Sequence, residues 1–137
     1  MLEQALVVAS AAIALSLGLI HLVYTFFGSK LKPRDPSLQV RMSDVPLVLT
    51  RQTTVWKAWI GFNASHALGI ILFGTSYGYL ALVQPDVLFQ SKFLVALGAL
   101  FLLAYVILAK LYWFNVPLVA VVLALVCYAT GIAVAWA

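Results

Sequence analysis

Two histidines and one asparagine interrupt otherwise apolar sequence, and they are the side chains best able to do chemistry. His21 lies in "GLIHLVYT". Asn63 and His66 lie in "WKAWIGFNASHALG", residues 56–69. Polar groups are costly in hydrocarbon, so their presence there points to function. An imidazole can ligate a metal, move a proton near neutral pH, or hydrogen-bond between helices. Which of these applies depends on the elements that hold the three residues.

Those elements are read from composition. The chain has 137 residues, of which 65% are hydrophobic and 9% charged. A soluble domain carries about a quarter of its residues charged, so this chain cannot cover itself in water. Four apolar runs, residues 4–27, 58–83, 87–109 and 116–136, are each long enough to cross a core of about 30 Å as a helix. The expectation is all-α: a four-helix transmembrane bundle forming a single integral membrane domain over residues 1–137. The first run is too long for a signal-peptide core, and its flank "MLEQ" holds an acid and no base, so it reads as a true span. Cys127 is the one cysteine, which rules out a disulfide within the chain.

Charge sets the orientation. Lys30, Lys32, Arg34, Arg41, Arg51 and Lys57 fall in the basic loop 28–57, and Lys110 follows span three on the same side. Only Lys92 lies opposite. By the positive-inside rule the basic face is cytoplasmic and both termini face outward. The expected location is a bacterial inner membrane. The net charge of +4 is explained by this topology and does not argue for nucleic acid. Within the loop, Asp35-Pro36 and Ser43–Pro46 each can start a short helix, with Asp35 or Ser43 as cap. Its apolar residues Leu38, Val40, Met42, Leu47 and Leu49 suit a segment lying on anionic headgroups. Thr53 or Thr54 is the expected N-cap of span two. A short outer loop at Gln84–Asp86 makes spans two and three antiparallel neighbours. Tyr77, Tyr79 and Trp136 read as an outer aromatic belt, and Trp56, Trp59, Tyr112 and Trp113 as the cytoplasmic one.

This frame brings the histidines to one depth. His21 precedes Lys30 by nine residues and His66 follows Lys57 by nine. At 1.5 Å per residue, each imidazole lies about 10 Å in from the boundary. Trp59, Asn63, His66 and Gly69 share one face of span two; Gly18, His21 and Thr25 share one face of span one. Tyr105 and Lys110 approach the same membrane face from span three. The candidate site is therefore His21, Asn63 and His66, with Trp59, Gly18, Thr25, Ser65, Gly69, Tyr105 and Lys110 as pocket residues.

Three readings fit the cluster. It holds a haem or a lipid-like ligand, with Gly18 and Gly69 leaving room for a flat ring. It fixes helix register in an accessory subunit that contacts a larger membrane complex or a second copy. Or it serves a small lipid-modifying enzyme. Two histidines alone make a poor zinc site. With Glu3, Asp35, Asp44 and Asp86 at span ends or in loops, a di-iron carboxylate site is disfavoured. Ser65 and His66 point about 100° apart on a helix, so they do not form a nucleophile pair.

Phe62, Asn63, Ser65, His66 and Gly69 spell an aromatic-Asn-x-Ser-His-x-x-Gly signature, and "GLIHL" around His21 accompanies it. In these two stretches the chain resembles a family of small bacterial four-span membrane proteins. The resemblance implies architecture and no particular activity. The chain looks unlike the four-span sterol isomerase fold, whose chemistry needs intramembrane acids.

Overall fold

Buried residues recur every three or four positions along each long helix, and that period places the core. The computed structural model covers residues 1–137 and contains α1 (Leu2–Phe26), α2 (Pro36–Asp44), α3 (Val55–Val83), α4 (Pro85–Gln90), α5 (Lys92–Tyr112) and α6 (Asn115–Trp136). No strand is present apart from one isolated bridge between Pro46 and Thr54. Helices α1, α3, α5 and α6 are long and apolar enough to cross a membrane. The protein is all-α, a multi-pass membrane bundle.

Local sequence explains the helix ends. Gly28 adopts φ +85°, a left-handed conformation that glycine takes without a Cβ penalty, just past the end of α1. Asp35 caps α2: its carboxylate accepts from the Ser37 N–H and hydroxyl, both at 2.9 Å, with Pro36 at the first helical position. Ser43 is not a cap; its hydroxyl donates back to the Gln39 carbonyl inside α2. Thr54 caps α3, accepting from the Lys57 N–H at 3.4 Å. The third span begins at Lys92, five residues later than the apolar run, because Ser91 caps it through the Leu94 N–H. Residues 85–90 instead form the separate helix α4, started by Pro85.

The chain divides into two compact units, residues 1–17 with 70–137, and residues 18–69. The first holds parts of all four spans. Its buried stripes are Val7, Ser10, Ala11 and Ala14 on α1, and Ile70, Phe73, Gly74, Tyr77 and Ala81 on α3. Those on α5 and α6 are Val95, Gly98, Leu102, Tyr105 and Ala109, and Val121, Ala124, Tyr128 and Gly131. Small residues let these stripes approach closely: a Cβ on Gly74 would lie 2.7 Å from the Leu15 nitrogen, and one on Gly131 would lie 2.9 Å from the Glu3 carbonyl oxygen. Aromatic rings fill the middle. Phe73 stacks on Phe101 at 4.9 Å and on Tyr77 at 4.5 Å, and Phe101 stacks on Tyr105 at 4.7 Å. Tyr77 is buried in this core, and its hydroxyl donates to the Leu94 carbonyl at 2.7 Å. Tyr128 donates likewise to Val95 at 3.0 Å.

The second unit holds the end of α1, the basic loop with α2, and the first half of α3. The base of the 46–54 loop is closed by the Pro46–Thr54 bridge and by the Val55 N–H donating to the Val45 carbonyl at 2.9 Å.

Candidate functional site

Helix periodicity carries the α1 stripe onward from Gly18 to His21 and Thr25, and the α3 stripe runs from Asn63 through His66 and Ala67. The three polar residues singled out in the sequence meet within the second unit. The His21 and His66 rings contact edge to face, with centroids 5.3 Å apart and planes at 74°. His21 Nε2 lies 3.0 Å from Asn63 Oδ1. All three side chains are half-buried.

The hydrogen bonds fix which atom does what. Asn63 Nδ2 donates to the Trp59 carbonyl at 2.8 Å. A carbonyl only accepts, so the amide nitrogen must be on that side. Oδ1 then faces His21 and accepts, which puts a proton on His21 Nε2. In the neutral ring this leaves Nδ1 with its lone pair free to accept. The Thr25 hydroxyl donates to the His21 carbonyl at 2.8 Å and is buried, which ties the last turns of α1 together. Trp59 is held in turn: its indole N–H donates to the Leu31 carbonyl at 3.0 Å. A continuous chain thus runs from the loop through Trp59 and Asn63 to His21.

The remaining pocket residues divide. Gly18 is buried and Gly69 half-buried. Ser65 is exposed, and its hydroxyl donates to the Phe62 carbonyl at 3.0 Å. Tyr105 and Lys110 belong to the other unit. There Tyr105 is buried between Phe101 and Trp113, and Lys110 is exposed in the last turn of α5.

Two open hollows lie in this unit. One, of about 370 Å³, has Thr25, Gln39, Trp56, Ile60 and Lys32 in its lining. The other, of about 380 Å³, is lined by Lys30, Leu31, Lys32, Pro33, Met42 and Trp59. Thr25 on the first and Trp59 on the second are direct hydrogen-bond partners of the His21–Asn63 pair. Sequence reasoning did not find Leu31, Gln39 or Ile60; their apolar or neutral character in a loop or span carries no signal. No group of three or more His, Cys, Asp or Glu side chains is placed to hold a metal ion. The cluster can accept a hydrogen bond or a proton at His21 Nδ1 and present polar surface inside an apolar helix pair. The His21 ring meets an amide and a second imidazole, not a carboxylate.

No protein family, no curated protein and no solved structure matches the chain.

Proposed function

We propose that this chain is a small protein of a bacterial inner membrane, with both termini outside, that binds a lipid-like molecule at His21, Asn63 and His66 near the cytoplasmic leaflet. The observation that carries this reading is the oriented bond from His21 Nε2 to Asn63 Oδ1 with the His66 ring packed against it. A polar group held in one tautomer by a second residue is prepared to meet a partner of fixed hydrogen-bonding sense. The hollow that reaches Thr25 and Ile60 offers an amphiphile both apolar wall and polar rim.

The lipid-like form of the reading is better supported than the haem form. Two nitrogens on opposite sides of one metal stand about 4 Å apart with the flat ring between them. Here the two imidazoles touch directly, and the outer nitrogen of His21 is already taken by Asn63.

The test is native mass spectrometry of the protein purified in mild detergent, with a visible spectrum before and after reduction. The expected result is a retained lipid-like adduct, lost in Asn63→Ala and His66→Ala while helix content is kept, and no Soret band when haem is supplied during expression. A Soret band lost in His21→Ala would replace the lipid with haem. A wild-type protein that carries no adduct would overturn ligand binding and leave the cluster to helix packing.

A further inference from the structure

We infer that residues 28–59 form a binding site for anionic phospholipid, in which Lys30 and Lys32 hold the headgroup phosphate over an apolar floor of Leu31, Pro33, Met42 and Trp59. This site shares Trp59 with the chain of hydrogen bonds that reaches His21, but its lysines belong to the loop and it does not rest on a ligand held at the histidines.

Charge is the first argument. Between Gly28 and Lys57 stand six cations, Lys30, Lys32, Arg34, Arg41, Arg51 and Lys57, against two carboxylates, Asp35 and Asp44. None of the six makes an ion pair; the one ion pair in the molecule joins the Met1 amino group to Glu3. Asp35 is already engaged by Ser37 at the start of α2. The anion that balances this surface comes from outside the chain.

Shape is the second. The hollow of about 380 Å³ has two lysines and no acid in its lining, and its other walls are apolar or aromatic. Leu31, between the lysines, is fixed by its carbonyl to the Trp59 indole. The two ammonium groups therefore sit on a pinned segment, beside a tryptophan of the kind that settles at headgroup level. A free phosphate would use the lysines and leave the floor empty. A phospholipid uses both.

The third argument is the loop tip. With its base closed at Pro46 and Thr54, the loop holds Val48 fully exposed and Leu49 at 91% exposure, close to Arg51. Two apolar side chains standing out beside an arginine suit the boundary between headgroups and acyl chains, where apolar insertion and attraction to anionic lipid add.

The experiment reconstitutes the full chain in vesicles of equal parts phosphatidylglycerol and phosphatidylcholine, extracts it gently, and counts retained lipids by native mass spectrometry. Wild type should retain phosphatidylglycerol in preference. Lys30→Gln with Lys32→Gln should lower that preference on the order of tenfold. Lys92→Gln should leave it unchanged. Circular dichroism verifies that each variant keeps its helices. Absence of preference in wild type, or an equal loss in Lys92→Gln, would overturn the site. Displacement of the lipid by inorganic phosphate would overturn its lipid character. In a Cys127→Ser background, a solvatochromic dye on Val48→Cys should shift to the blue in phosphatidylglycerol vesicles. An aqueous signal there would mean that the tip meets water or a protein, and would overturn its insertion.

Discussion

A Cβ added at Gly98 would lie 2.7 Å from both the Tyr128 Cζ and the Tyr77 Cε1, whereas one added at Gly61 would meet nothing within 4 Å. Each glycine stands inside a membrane-spanning helix, in a different compact unit. In the unit of Gly98 the helices are held by close backbone approach at Gly74 and Gly131 and by stacked rings. In the unit of Gly61 the side-chain contacts are oriented polar bonds: His21 to Asn63, Asn63 to Trp59, Trp59 to Leu31. The contrast teaches a division of labour. Since lipid gives helices no hydrophobic reason to associate, stability comes from packing of small and aromatic residues. A unit that relies less on such packing is the one where polar groups and open hollows can be kept.

The sharpest way to break this contrast is to empty the aromatic core. Phe73 is 5% exposed and stacks on two rings. Phe73→Ala should lower stability by about 3–5 kcal/mol, measured as the unfolding midpoint in mixed micelles. A loss under about 1 kcal/mol would mean that the stack fills space without holding it.

Next come the glycines themselves. Gly98→Ala should cost about 1–3 kcal/mol by overpacking against Tyr128 and Tyr77. Gly61→Ala should be neutral or stabilise by up to about 1 kcal/mol, because it only removes glycine's entropic cost in a helix. Equal effects at the two sites would erase the distinction between the units.

Smaller still is the polar network. Asn63→Ala should cost about 0.6 kcal/mol, with about 1.7 as the ceiling seen for bonds between membrane helices. Its clearer signature is spectroscopic. Nitrogen-15 NMR of the wild type should find neutral His21 protonated at Nε2, and Asn63→Ala should release it to a mixture of tautomers. A wild-type ring already mixed would show that Asn63 does not orient it.

The smallest effect is local and pH-dependent. The Ser37 hydroxyl and then its N–H donate to Asp35 and hold its carboxyl below the usual carboxylate value. A folded-state value below the unfolded one stabilises the α2 cap above the ordinary range near pH 4, and the contribution fades as pH falls through the lowered value. The protection of the Ser37 amide, its intrinsic exchange rate divided by the observed one, should therefore be above one at neutral pH and fall toward one as pH drops through the lowered value. Asp35→Ala should remove the protection at every pH.

Much of this was readable from one dimension. Apolar run length marked four spans because a bilayer of fixed thickness demands it. Asp35-Pro36 and Thr54 marked helix starts because a cap is a contact between residues two or three positions apart. The third span was harder: Ser91 interrupts apolar sequence that hydropathy alone reads as one helix, and only its bond to the Leu94 N–H ends the ambiguity. The site was legible as three polar residues at matched distance from flanking charge. Depth alone does not state direction: the Ser65 hydroxyl donates to the Phe62 carbonyl of its own helix.

The sequence by itself determined the number of spans, the clustering of cations between residues 28 and 57 and the residues that are polar within the apolar runs. Each of these follows from composition and local order. Only the tertiary structure decided that Tyr77 and Tyr128 belong to the core, that the two imidazoles touch, and that His21 carries its proton on Nε2. That proton is assigned by a residue 42 positions away, itself oriented by the carbonyl one turn before it. Such a bond depends on how two helices are rotated against each other, and no local pattern encodes that rotation.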